Sequence, residues 1–255
     1  MNMKALGAAF RSGRTPLWIG LITIIMLSWV QLVRMNTGMP ATPEMMPMAG
    51  RHMMTAGGGG NLLPALGMWS VMMAAMMLPG EMPAVSVYLT LATRRHPARS
   101  AAVPAAFFVT GYLAVWVGYA TVAAATQSML APILNAGAAL STAMLLTAGV
   151  FQFSRAKNAC LTRCRSPLAF FLAEWRDGNA GALKLGLRHG SYCVGCCWAL
   201  MALMFVAGAM NLLWMGVLMI FILGEKLAPP AWRLGHVAGV AFLLGAAATA
   251  ARFIG

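Results

Sequence analysis

The chain has 255 residues, 60% of them apolar and only 9% charged, with a formal net charge of +13. A soluble globular domain carries about 25% charged residues, so the composition excludes one and points to an all-α, polytopic transmembrane helical bundle of one domain. Nucleic acid is excluded as a partner because the 18 Lys and Arg cluster between apolar runs, as membrane topology requires.

Residues 1–16 place Lys4, Arg11 and Arg14 ahead of an apolar run from Leu17 to Val33. The run is long, and Gln31-Leu-Val-Arg-Met has no small-x-small cleavage pattern, so 1–34 reads as an uncleaved signal-anchor helix. Residues 35–61 form a Met-rich loop closed by four glycines, in which Pro and Gly forbid a regular element. The next apolar stretch, Leu62 to about Ala92, holds Pro64, Pro79 and Pro83, and predicts a lead-in followed by a span near 70–92 kinked at Pro79-Gly-Glu-Met-Pro83. Further spans are expected near 101–126, 137–154, 191–209, 212–227 and 235–251, about seven in all. The bundle thus covers 62–255, interrupted by a basic, Cys-bearing loop at 155–190.

With the N-terminus in the cytoplasm, 15 of the 18 basic residues fall on inner segments. The positive-inside rule then orients the chain as a multi-pass protein of the bacterial inner membrane, with the Met-rich loop periplasmic and all five cysteines at or near the cytoplasmic face. Reducing conditions there keep them as thiols.

Methionine is the compositional outlier: of 23 residues, seven lie in 35–54 and six in 68–82. The loop offers His52 beside Met39, Met45, Met46, Met48, Met53 and Met54. In an oxidising compartment, thioether is the soft ligand that survives, and it prefers Cu(I). On the second span Met68, Met72 and Met76 recur at i, i+4, i+8 with Met73 and Met77 beside them, one sulfur-bearing face that also serves as ordinary packing. Glu81 falls mid-span, where a carboxylate is a functional candidate.

The thiols form two groups. Cys160 and Cys164 share one side of a helix at i, i+4, with Lys157, Arg163 and Arg165 expected to lower their pKa values. Cys193-Val-Gly-Cys196-Cys197 leads into Met201 and Met204. At about 100° per residue, Cys193, Cys197, Met201 and Met204 lie within roughly 80° of one another on a helix, with Cys196 flanking. Thiolate and thioether together suit Cu(I), and zinc if enough thiolates converge. Thiol–disulfide exchange is the competing chemistry for a C-x2-C pattern. His189 is an i, i+4 neighbour of Cys193, and Glu225-Lys226 reads as a snorkelling pair at the membrane edge. No phosphate-binding glycine loop, nucleophile–base pair or H-E-x-x-H is present, which argues against an enzyme.

Five patterns taken jointly resemble an uncharacterised bacterial family, a domain of unknown function, of predicted metal-binding integral membrane proteins. They are Trp69-x2-Met72-x2-Ala75-Met-Met-x-Pro79, Phe151-Gln with Cys160-Leu-x2-Cys164-Arg-x-Pro167, Tyr192-Cys-x-Gly-Cys-Cys-Trp198, Gly208-x-Met-Asn211-x2-Trp214 and Glu225-Lys226. The resemblance covers residues 62–228 and implies metal binding and a small soluble companion protein. Gly80-Glu81 departs from it, since the family places Ser after that proline. The expected function is binding of a soft metal, copper first and zinc second, for transport or for delivery to a companion or metalloenzyme by sulfur-ligand exchange. The alternatives are a membrane-bound oxidoreductase or thiol-redox subunit, or a structural anchor.

Overall fold

A computed structural model describes residues 15–37, 62–95, 98–130, 137–207, 211–229 and 232–254, and these are helical throughout apart from short turns. In chain order the helices are α1 (Thr15–Thr37), α2 (Leu62–Met77), α3 (Met82–Arg95), α4 (Ala98–Leu130), α5 (Gly137–Gln152), α6 (Arg155–Arg165), α7 (Pro167–Glu174), α8 (Gly178–Ala202), α9 (Met204–Ala207), α10 (Leu212–Leu227) and α11 (Leu234–Ile254).

The expectation of about seven spans does not hold among these residues. By length and composition three helices are able to cross a bilayer: Thr15–Thr37, Ala101–Met129 and Leu234–Ala251. The number rises to four if the bent pair Leu62–Met77 and Pro79–Arg94 counts as one. The shortfall has a physical cause. α5 and α10 have 16 residues each, about 24 Å at 1.5 Å per residue against a hydrocarbon core of about 30 Å. α8 is long enough, with 25 residues, but its first half carries Lys184, Arg188 and His189. The apolar remainder breaks at Leu203.

Local sequence accounts for the boundaries. Pro79 removes an amide donor, and the chain tightens there into a 3-10 turn, Pro79–Glu81, with a 40° bend. Ser154 caps α6 by accepting from the Lys157 amide at 3.1 Å, and Pro167 begins α7 at a position that tolerates a missing N–H. Asn211 caps α10 through the amides of Leu213 and Trp214. Gly178 opens α8 at φ +78°, a conformation that disfavours any side chain.

The segment expected as a basic loop is therefore α6, α7 and the first half of α8. α8 is the central helix, packed on α4 along most of its length and flanked by α6. The α4–α8 crossing depends on glycine: a Cβ on Gly186 would lie 2.0 Å from the Phe108 carbonyl oxygen, and one on Gly111 2.4 Å from that of Leu183. Small residues at such crossings let two backbones touch. α11 packs on α5, and α2 on α1 and α4.

Candidate metal site

The close α4–α8 crossing brings Tyr112 onto the thiol motif. Gly186, Gly190 and Cys193 follow one another on the face of α8 turned to α4, and the Tyr112 hydroxyl lies 3.2 Å from Cys193 Sγ. The same hydroxyl donates to the Met77 carbonyl at 3.3 Å, tying α2 to the site just before its proline break. From α10, Lys226 Nζ donates to Cys193 Sγ at 3.1 Å. Cys193 is wholly buried, so its sulfur sits between an ammonium and a phenol, away from the protein surface.

Cys196 and Cys197 lie one helical turn further along α8. In an α-helix a thiol at i+3 or i+4 reaches the preceding turn, and here both donate to the Cys193 carbonyl, at 3.1 and 2.8 Å. Cys164 faces inward from α6, with its sulfur 4.0 Å from that of Cys196. Cys160 packs over Gly195, where a Cβ would come within 2.8 Å of its sulfur. The glycine inside the Cys193–Cys196 motif thus lets α6 approach.

Met72, Met73, Met76, Met77, Met201 and Met204 are all buried in one core cluster with Cys164, Cys193, Cys196 and Cys197. The Met face of α2 and the sulfur-bearing face of α8 are thus parts of a single interior. Trp69 closes it on one side, donating from its indole N–H to Gln127 at 2.6 Å and stacking at a tilt on Phe205.

Glu81 is buried, in the 3-10 turn after Pro79. It faces His189 rather than a sulfur: His189 Nε2 lies 3.3 Å from Glu81 Oε1. The contact falls outside hydrogen-bond geometry, and both carboxylate oxygens and His189 Nδ1 lack a hydrogen-bond partner. The i, i+4 proximity of His189 to Cys193 along α8 is therefore offset by the rotation of its ring toward Glu81. His52 and the loop methionines lie outside the described residues.

The charges around the thiols differ from those anticipated. Lys157, Arg163 and Arg165 were expected beside Cys160 and Cys164. Lys157 is instead buried against Glu225, at 2.7 and 2.8 Å to the two carboxylate oxygens, and also donates to Gln152. Arg165 donates to the Glu225 carbonyl at 2.7 Å, and Arg163 leans toward Glu174 at 3.5 Å and over the Tyr192 ring. Without those cations, burial pushes the Cys160 thiol up from its ordinary value. Hydrogen bonding with Cys193, then with Cys196, pushes Cys164 up as well, and burial adds to it. The predicted lowering is thus reversed at both. Glu225 and Lys226 are both buried and do not snorkel as a pair, because neighbours on a helix point about 100° apart: Glu225 meets Lys157 while Lys226 meets Cys193.

The donor set is soft, but it is not gathered into a closed cage. Among the described residues no three His, Cys, Asp or Glu side chains converge as a ready-made metal group. Two of the thiols are turned onto a backbone carbonyl.

A family model described as PpoB2, copper chaperone, matches residues 66–249. The chain belongs to the PpoB2 copper chaperone family. The match spans every thiol and the Met face of α2, and leaves α1 outside. It agrees with copper as the expected metal, and with the resemblance to a metal-binding family. No curated protein and no solved structure matches the chain.

Proposed function

We propose that this protein is an integral membrane copper chaperone that holds Cu(I) on buried sulfur and passes it to a protein partner by ligand exchange. The observation that carries this reading is the single interior shared by four thiols and the Met face of α2. A dry, sulfur-rich interior favours Cu(I) over harder ions and shields it from water. Cys193, already in contact with Lys226 and Tyr112, is the primary ligand, with Cys164, Cys196, Cys197, Met201 and Met204 supplying exchange partners. Rotation of Cys196 and Cys197 away from the Cys193 carbonyl would free their sulfurs. Met72, Met73, Met76 and Met77 form the relay on the α2 side, and Cys160 the station nearest the surface. No catalytic step is required of any residue.

The membrane location is supported by apolar side chains left outside the fold, such as Leu213, Ile220, Val237 and Leu244, each about two-thirds exposed or more. Water is a poor solvent for such a belt, and lipid is a good one. We place the N-terminus in the cytoplasm of a bacterial inner membrane, and the Met-rich loop 35–61 with His52 in the periplasm as a copper collector. With α1, α4 and α11 as the three spanning helices, this orientation puts the basic segment 155–190 on the cytoplasmic side.

Metal analysis of the detergent-purified protein, after growth with copper, tests the reading. The wild type should carry copper and the Cys193→Ser/Cys197→Ser variant should lose most of it. A metal-free wild type overturns it. A second reading, thiol-redox chemistry, draws on the 4.0 Å approach of Cys164 and Cys196. A disulfide between them in protein isolated from growing cells would favour it.

A further inference from the structure

A cavity of about 310 Å³ opens beside the sulfur interior, where α6, α10 and the start of α11 meet. No cysteine or methionine lines it, so copper binding has no use for it. Its floor is the Lys157–Glu225 pair with Gln152, and Arg165 and Arg233 add two guanidinium groups. Since Lys157 and Glu225 neutralise each other, the cavity carries two surplus positive charges.

Three observations point to a ligand. Gln152 is 2% exposed; its oxygen accepts from Lys157, while its Nε2 amide is buried without a partner. A buried donor left unpaired costs about 1–3 kcal/mol, and such groups in a fold call for an explanation. α11 begins at this cavity, with Leu234 and Gly235 in its wall. The amides of His236 and Val237 both turn back to the Arg233 carbonyl, and the amides of Leu234 and Gly235 before them have no carbonyl of their own helix to donate to. Finally, Arg233 sits at φ 44°, a left-handed backbone that a non-glycine residue holds at a cost of about 1–2 kcal/mol. Strain of this kind persists where surrounding structure demands it, often at ligand sites. Gly235 keeps the floor open, because a Cβ there would lie 2.9 Å from Glu225 Oε1.

We propose that this cavity binds a phosphate monoester. A phosphomonoester carries about −1.5 to −2 charges near neutral pH, which matches the surplus of two, whereas a carboxylate would leave half of it uncompensated. Guanidinium groups, amides at a helix start and a side-chain amide are the donors that phosphate oxygens accept from. The volume leaves room for the organic part of the ester. That part is either a small soluble molecule or the headgroup of a phosphatidic acid, and the chemistry recognised is the same. The inference is independent of the copper reading.

Isothermal titration calorimetry on the detergent-purified full chain tests it, with glycerol phosphate and short-chain phosphatidic acid as separate titrants. Saturable binding of one equivalent is expected with at least one. Saturation by glycerol phosphate assigns a soluble ester, and saturation by the lipid alone assigns a headgroup. Arg233→Glu and Gln152→Glu should each weaken binding by about tenfold or more, the second while keeping the acceptor for Lys157. Arg94→Glu, the same change in charge at an exposed position remote from the cavity, should leave it unchanged. No saturable binding to either titrant, or equal weakening by Arg94→Glu and Arg233→Glu, overturns the proposal.

Discussion

Lys226 Nζ lies 3.1 Å from Cys193 Sγ, and both side chains are buried. The pair joins α10 to the central helix at a sulfur that also touches Tyr112. An ammonium fixed at this distance compensates negative charge on the sulfur, whether it is a thiolate or part of an anionic Cu(I)–thiolate group. Charge-assisted hydrogen bonds of this kind are roughly twice as strong as neutral ones. Lys226→Met is therefore expected to weaken Cu(I) binding by about tenfold, close to 1.4 kcal/mol. Competition against a chromophoric Cu(I) chelator measures it, and an unchanged affinity would remove Lys226 from the site.

The Lys157–Glu225 ion pair is a separate structural element, with side chains 1% and 3% exposed. Removing one partner leaves a buried charge unpaired, at a cost of about 3–5 kcal/mol. Glu225→Leu and Lys157→Met should each lower the thermal midpoint sharply in detergent. The double variant should recover much of the loss, because two apolar side chains replace a pair that had to be desolvated. Additive losses in the double variant would contradict this.

Gly186→Ala should be among the most damaging single-methyl changes in the chain. Its Cβ would stand 2.0 Å from the Phe108 carbonyl oxygen, so α4 and α8 must separate, carrying Tyr112 away from Cys193. Overpacking of this type costs about 1–3 kcal/mol, and copper retention should fall with it. Gly118, on the same α4, has nothing within 4 Å of its Cβ position. Gly118→Ala should be neutral, or stabilising by up to about 1 kcal/mol through helix propensity. Parallel melting curves decide between them.

Thiol labelling of the metal-free native protein should begin at Cys160. It is half-buried, whereas Cys164, Cys193, Cys196 and Cys197 are buried. Burial raises the Cys160 pKa, so alkylation near pH 7 should be slow and should accelerate through pH 9 and above. Thiols whose folded pKa is raised bind more protons in the fold than in the unfolded chain above the ordinary thiol value of about 8.5. Stability from Cys160 and Cys164 is then full below that pH and declines as pH rises beyond it. Mass spectrometry of alkylated peptides and a pH series of unfolding midpoints check the two statements.

Much of the fold was legible in the sequence because apolar runs and proline positions act locally. The Pro79 break, the i, i+4 placement of Cys160 and Cys164 on one helix, and the Asn211 turn all follow from backbone chemistry within a few residues. The number of spans was not legible, since summed hydropathy does not register where a helix stops. α5 and α10 end after 16 residues, and the apolar stretch after Cys193 breaks at Leu203. The basic segment 155–190 read as loop because its charges masked an apolar face. Phe170 and Phe171 pack there against Tyr88 and Phe108.

The sequence by itself determined the chemical kind of this protein: an all-helical, strongly apolar chain rich in soft sulfur side chains, five of them thiols. Residue type and helical period suffice for that. Only tertiary structure decided which charges accompany those sulfurs, because ion pairs form between residues far apart in the chain. Lys226, adjacent in sequence to Glu225, turns from it to Cys193, while Lys157, close in sequence to Cys160, crosses to Glu225. In a buried interior each charge must find its partner in space, and α10 brings Glu225 to Lys157 on α6 and Lys226 to Cys193 on α8.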